Sequence, residues 1–310
     1  MTEKLPVWID TDAGADDAAA LTAACRMERL DLRGVSAAAG CMEQARAFTA
    51  ARGVLSLAGR EDVPVYPGAA GPLLRSLPER PAGHESPDLT GLLAPSAAPE
   101  ETLPAWDALY RAAKALDGAL DVVAIGPLTN LAVAFGKYPQ LPGLLHRIYM
   151  MGGAAMGGNI TPAAEFNVYT DPHAAQAVFR SGAAIVMCGL DVTQAAYLTP
   201  EEAAEIGSRE TRFGRFFRES TRSLPRFRGR DLAPGLCLHD LCPVLYLAYP
   251  RLFTGREAGV FVETRGTVTL GKTVTDLWSD RPFPVKNTFV VLDVDRDGFA
   301  AQVRELLERD

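Results

Sequence analysis

Short runs rich in Val, Ile and Leu alternate along the chain with longer stretches in which apolar residues recur at helical spacing. The run Leu5-Pro6-Val7-Trp8-Ile9 reads as a first strand, and the Ala-rich residues 18–25 as the helix after it. Further strands are predicted at 30–36, 63–66, 120–125, 147–151 and 183–188, and short ones within the Thr- and Val-rich segment 259–293. Helices are predicted over 42–58, 100–116, 171–180, from Thr199 onward, from His239 to about Tyr249, and over 299–308, with 208–230 helical in part. Three boundaries carry their own signals. Gly126-Pro127 puts proline at a first helical position, Asp171-Pro172 caps and opens a helix, and Thr199-Pro200-Glu201-Glu202 has the form of a capping box.

Strand and helix alternate with short links, and no linker, composition break or internal repeat divides them. The expectation is an α/β fold: a single domain over residues 1–310, with a mostly parallel, doubly wound (Rossmann-like) sheet flanked by helices, plus extra short C-terminal strands. Residues 69–99, rich in Pro, Gly and Ser, are too long for a passive connection and read as a functional loop or lid.

The pattern breaks most sharply between the first strand and helix. Asp10-Thr11-Asp12-Ala13-Gly14-Ala15-Asp16-Asp17 holds four carboxylates within eight residues. Such a turn lies at the carboxyl end of a strand, where ligands bind in α/β sheets. Helix capping and the macrodipole account for Asp16 or Asp17, but not for four acids together. Like charges this close raise each other's pKa unless a positive charge sits among them. A hard divalent cation, Ca²⁺ or Mg²⁺ rather than zinc, is the economical answer, because no His or Cys is near in sequence.

Composition changes this picture only by exclusion. With 310 residues, 48% hydrophobic and 22% charged, the chain has the make-up of a soluble globular protein. A net charge of −7 argues against a general nucleic-acid or membrane-surface binder. No apolar run has the length of a transmembrane helix, and the first residues lack a signal-peptide pattern, so the cytoplasm is the default expectation. Cys25, Cys41, Cys188, Cys237 and Cys242 have no zinc spacing and read as free thiols in a reducing compartment. Asp293-Val294-Asp295-Arg296-Asp297-Gly298 mimics half of an EF-hand loop, but Arg304 stands where the closing Glu belongs. Arg209, Arg212, Arg215, Arg218, Arg222 and Arg226, interleaved with Glu210 and Glu219, read as a solvated face.

Set beside the other polar clusters, the acid-rich turn resembles the N-terminal signature of the nucleoside hydrolases of the inosine-uridine preferring type. Gly126-Pro127-Leu128-Thr129-Asn130, then Met151-Gly152-Gly153 through Asn159 to Glu165-Phe166-Asn167, then His239-Asp240 are similar to further family motifs and come in family order. Residues 262–266 and 273–276 look like the family's C-terminal strands. The resemblance implies Ca²⁺-dependent hydrolysis of the N-glycosidic bond of ribonucleosides. Asp12, Asp17, Asp240 and the main-chain oxygen of Ile125 match the Ca²⁺ ligands, the remaining sites going to a water and the ribose 2′- and 3′-hydroxyls. Asp12 matches the general base and His239 the acid or hydrogen-bond donor toward the leaving base. Asp16, Asn159, Glu165 and Asn167 match ribose-binding residues, Met151 lines the same pocket, and His84 is a candidate nucleobase contact. A homodimer or homotetramer is implied as well.

Singly, Asn159 reads as a turn residue, Glu165 as a solvated acid, Asn167 as a core amide and His239 as a helix-start residue. Their joint register with the acid-rich turn favours the functional reading. The chain departs from the family at Ala13, where Pro is usual, which loosens the turn. It departs again at Cys41, where Asn is usual beside the metal and water. The segments around His84 and before His239, where Phe227 is the nearest aromatic, follow the family only loosely, so base preference is not carried over. Cys41 motivates a rival: a riboside- and Ca²⁺-binding protein with weak or no turnover, or a hydrolase of a non-standard riboside.

Overall fold

A computed structural model describes residues 4–79, 87–222, 224, 235–278 and 286–308. The first apolar run forms β1 (Leu5–Thr11), which turns at once into α1 (Ala15–Arg26). β2 (Leu30–Ala37), α2 (Gln44–Leu57), the short β3 (Val65–Pro67) and α3 (Ala105–Leu116) follow. The middle of the chain gives β4 (Leu120–Ala124), α4 (Thr129–Lys137), β5 (Leu145–Met151), α5 (Phe166–Thr170), α6 (Pro172–Phe179), β6 (Ile185–Cys188) and α7 (Leu190–Thr193). Next come β7 (Tyr197–Leu198), α8 (Pro200–Ser208), α9 (Arg212–Ser220), β8 (Leu236–Cys237) and α10 (Leu241–Ala248). The chain closes with β9 (Phe253–Val262), β10 (Thr273–Asp276), β11 (Thr288–Val294) and α11 (Arg296–Leu307).

Nine strands form one sheet in the order β10-β9-β11-β6-β5-β4-β1-β2-β3. Every pair from β3 to β11 is parallel, and the pairings made by β9 are antiparallel. The winding reverses between β1 and β4, and that reversal opens a crevice at the carboxyl ends of these strands. This is the mostly parallel, helix-flanked sheet that the sequence pattern predicts.

Strand alternation divides the core. Val7 and Ile9 of β1 and Val123 of β4 join the cluster formed with α1, α2, α10 and α11. Trp8, Val122 and Ala124 join the opposite cluster, with α3, α4 and α6. Adjacent residues point to opposite faces, and both faces are covered, so residues 7–9 of β1 and 122–124 of β4 are all apolar. In α1 the buried residues are mostly alanine, and their small side chains let the helix that carries Asp16 and Asp17 lie close against its neighbours.

Several boundaries differ from the prediction. α3 begins at Ala105 rather than at residue 100, because Pro104 holds an extended ψ of 140° and keeps the chain before it out of the helix. α4 begins at Thr129, not at Pro127. The residues before it are drawn to β1, where a side chain on Gly126 would lie 2.9 Å from the Asp12 nitrogen. The C-terminal strands are not all short: β9 runs for ten residues, and its exposed first half lacks the apolar alternation that would announce it. The short α5, α7, β7 and β8 carry too few residues for a period to register.

The remaining sequence features resolve simply. All five cysteines are free. Asp295 caps α11 by accepting from the Gly298 nitrogen at 3.1 Å, which accounts for the EF-hand mimic. Arg209 pairs with Glu308, Arg215 with Glu210 and Arg218 with Glu219 on the surface, whereas Arg226 lies outside the described residues. Among the described residues no helix is long and apolar enough to cross a membrane.

Candidate active site

The crevice between β1 and β4 collects most of the residues singled out in sequence. Asp10, near the end of β1, sits behind it. Its Oδ1 accepts from Ser36 Oγ and from Asn130 Nδ2, the latter at 2.7 Å. Trp8 Nε1 donates to Ser36 Oγ at 2.9 Å, and the Ala69 nitrogen donates to Asn130 Oδ1 at 2.7 Å. Asp10 Oδ2 is buried without a hydrogen-bond partner. Burial outweighs the two hydrogen bonds and pushes this carboxyl up to about 7.

The turn after β1 is tightly pinned. Asp17 Oδ1 accepts from Thr11 Oγ1 and its Oδ2 from the Gly14 nitrogen at 2.9 Å. Ala13 takes a left-handed φ of 56°, and its nitrogen donates to Thr11 Oγ1 at 2.9 Å. The sequence suggested that alanine loosens the turn, but here its N–H pins it. Ala13 adopts a conformation closed to proline, whose ring fixes φ near −65°. Asp12 Oδ2 accepts from the Cys41 nitrogen at 2.5 Å, and Cys41 Sγ donates to the Asp12 carbonyl oxygen at 3.0 Å. A side chain on Gly40 would lie 2.1 Å from Asp12 Oδ2, so only glycine lets this loop approach the carboxylate.

Asp12, Asp17 and Asp240 are 3%, 2% and 3% exposed. Candidate ligand atoms of Asp12, Asp17 and Cys41 lie within 4.8 Å of one another, and so do those of Asp16, Asp17 and Asp240. Asp17 belongs to both clusters, so the first turn and the start of α10 meet at one side chain. Burial raises the Asp17 carboxyl well above its ordinary range, and the charges of Asp12 and Asp16 push it further. Burial does the same at Asp240, reinforced by Asp16, Asp17 and Asp12. Buried oxygens whose charged neighbours share their sign are a fit site for a hard cation, and this cluster can hold a metal ion.

Ile125 follows β4, and its nitrogen donates to the Asp10 carbonyl oxygen at 2.7 Å. Its own carbonyl oxygen accepts from Asn167 Nδ2 at 3.1 Å, and the same nitrogen donates to the Met151 carbonyl oxygen at 3.2 Å. Asn167 thereby joins the ends of β4 and β5. Glu165 is not a solvated acid. At 2% exposure it caps α5, accepting from the nitrogens of Gly153, Asn167 and Val168 at 2.8, 2.9 and 3.2 Å. Burial pushes its carboxyl up to about 7 against those three bonds, with a smaller push from Asp12. Asn159 is exposed, and its Oδ1 accepts from the Phe166 nitrogen at 2.9 Å, the turn role that its neighbours suggest. His84 and Phe227 lie outside the described residues.

His239 precedes Asp240, and its Nδ1 lies 2.8 Å from Thr193 Oγ1. Burial lowers the histidine pKa, while the Asp16 charge acts in the opposite sense. Sequence reasoning missed Thr11, Ser36 and Thr193. Thr11 stands inside the acid-rich motif and was open to notice. A lone Ser or Thr elsewhere carries no signal until the fold brings its partner to it.

Comparison with known proteins gives the family. Residues 7–301 match the family model described as inosine-uridine preferring nucleoside hydrolase. The chain is 38% identical over 307 residues to the non-specific ribonucleoside hydrolase RihC of Salmonella paratyphi B, covering 99% of this chain and 98% of that one. Among solved structures it resembles the plant nucleoside hydrolase PpNRh1, with a TM-score of 0.88 and 30% identity, over 98% of this chain and 99% of that one. The purine-preferring ribonucleoside hydrolase of Gardnerella vaginalis gives a TM-score of 0.86 at 28% identity, with the same coverage. The chain belongs to the inosine-uridine preferring nucleoside hydrolase family, whose members are hydrolases of N-glycosyl compounds.

Proposed function

We propose that the chain is a Ca²⁺-dependent ribonucleoside hydrolase, releasing ribose and a free nucleobase. The observation that carries this reading is buried Asp17, shared between one cluster with Asp12 and Cys41 and another with Asp16 and Asp240, at the switch point of the sheet. The carboxylates of Asp12, Asp17 and Asp240 and the main-chain oxygen of Ile125 would hold the cation. Bound there, Ca²⁺ supplies a positive charge that acidifies a water and aligns the ribose 2′- and 3′-hydroxyls.

The side chains divide the remaining work. Asp12, steadied by the Cys41 nitrogen, takes a proton from the water that attacks C1′. Asp16 accepts from the ring diol, and Asn159, Glu165 and Asn167 hold the remaining hydroxyls beside Met151. As the C1′–N bond lengthens the sugar gains oxocarbenium character, which surrounding carboxylates stabilise. His239 assists the departing base, and His84 is a second nucleobase contact.

Ribose release from a panel of purine and pyrimidine ribonucleosides, with chelator and with added Ca²⁺, tests the proposal. Release is expected with Ca²⁺, lost with chelator and restored by Ca²⁺. No release from any nucleoside, alongside tight Ca²⁺ and ribose binding, would identify a binding protein instead. The same reading takes residues 1–310 as one cytoplasmic domain in a homodimer or homotetramer, which light scattering on the purified protein checks.

A further inference from the structure

Thr193 ends α7 with its side chain fully buried, and its hydroxyl meets His239 Nδ1 at 2.8 Å. A helical threonine commonly turns its hydroxyl back to the carbonyl four residues earlier. Here that carbonyl, of Gly189, accepts from the nitrogens of Thr193 and Val192 at 3.0 and 3.2 Å. Among the described residues the hydroxyl has His239 as its hydrogen-bond partner. A buried O–H keeps its proton on an acceptor, and the acceptor in reach is Nδ1. With Thr193 as the donor, Nδ1 carries the lone pair, and the ring proton of neutral His239 sits on Nε2.

Both partners are anchored. The Leu190 nitrogen hangs α7 from the Gly153 carbonyl oxygen at 2.9 Å, beside the loop that Glu165 caps. On the other side, the His239 carbonyl oxygen accepts from the Cys242 nitrogen at 3.2 Å as α10 begins. These main-chain bonds hold the two elements that present the side chains to each other.

We propose that Thr193 is a positioning residue, fixing His239 as the Nε2–H tautomer so that it assists the leaving nucleobase by donating a hydrogen bond. The inference rests on His239 facing the base, as in the function proposed above. Assistance then needs no net proton transfer through the imidazole. The C1′–N bond breaks, a C1′–O bond forms to water, and the proton that the base finally carries is balanced by the one Asp12 removes from that water.

Two variants and two leaving groups test it. Thr193→Val keeps the β-branched shape and removes the donor, whereas Thr193→Ser keeps the donor. For inosine and uridine, Thr193→Val should lower kcat by ~10-fold or more with KM within ~3-fold of wild type. On 4-nitrophenyl β-D-ribofuranoside, whose leaving group needs no help, the loss should stay within ~3-fold, and Thr193→Ser should remain within ~3-fold on every substrate. Equal losses on both substrate types, no loss on either, or a serine variant as impaired as the valine one would overturn the proposal. Nitrogen-15 spectra of histidine-labelled protein give a readout independent of turnover. A proton on Nε2 and an accepting Nδ1 at His239 are expected in wild type, and a proton on Nδ1 sinks the idea. Failure of the underlying hydrolase reading looks different: wild type itself releases ribose from no riboside.

Discussion

Two groups of carboxylates in this chain live in opposite electrostatic settings. At the corner between α8 and α11, Glu202 accepts from both Arg296 guanidinium nitrogens, at 2.6 and 3.1 Å, and from the Thr199 nitrogen at 2.8 Å. Burial is the largest single influence and pushes this carboxyl up, but the Arg296 and Thr199 bonds and the charges of Arg296 and Arg304 together hold it below its ordinary value. At the crevice Asp10 accepts two hydrogen bonds and Glu165 three, and both still rise to about 7, because burial dominates and Asp12 adds a like charge. The contrast separates two uses of one residue type. At the corner each acid meets a positive charge, and the pair contributes to stability. In the crevice the acids oppose one another, an arrangement that a folded protein keeps when a cation or substrate makes up the difference.

The sharpest break in this comparison comes from chemistry. Asp12→Asn keeps the shape of the turn and removes the base, so kcat should fall by ~10³-fold or more, measured as ribose release at saturating nucleoside. Activity within a few-fold of wild type would refute the base assignment. Thermal unfolding probes the next effect. Ca²⁺ at about 100 times its Kd should stabilise the chelated protein by ~2.7 kcal/mol, and Asp17→Asn should remove that shift while Glu202→Gln keeps it. An unchanged Ca²⁺ shift in Asp17→Asn would detach the metal from the two clusters.

The smallest effect is the most specific, because the two regions respond to pH with opposite sign. Glu165 is raised from 4.5 to about 7, so in metal-free protein its contribution is fully present below the unfolded value and is lost as pH rises through about 7. Glu202 is lowered from 4.5, so its contribution is present above that value and is lost as pH falls through the folded one. Denaturation of chelated protein from pH 4 to 8 should show Glu165→Gln flattening the fall toward neutral pH. Glu202→Gln should cost about 1 kcal/mol or less, seen only above pH ~5. Matching slopes in the two variants would refute the contrast.

The first region was legible in sequence because crowding is itself a signal. Four acids in eight residues contradict ordinary surface chemistry, so Asp12 and Asp17 stood out before any fold was known. Asp240 was within reach only through the family pattern, since more than 200 residues separate it from Asp17. The sheet was readable for a similar reason: 120–125 and 183–188 are apolar enough to require cover on both faces. What stayed hidden depends on tertiary contact. Glu165 looks like any loop acid until three backbone nitrogens converge on it. The exposed half of β9 follows its neighbour β11 rather than its own pattern. Thr193 acquires meaning only when α7 folds back to within reach of His239.

The left-handed φ of Ala13 decides which residues position 13 can accept. Its N–H holds Thr11 Oγ1, and Thr11 in turn holds Asp17. Restoring the proline usual in the family would remove that N–H and demand a backbone angle that this turn does not adopt. Ala13→Pro is thus not a neutral change in this turn. Ala13, Thr11 and Asp17 are linked by hydrogen bonds, so a proline at position 13 would require the backbone of this turn to take another path. Redesign of this enzyme should treat residues 11–17 as one hydrogen-bonded unit.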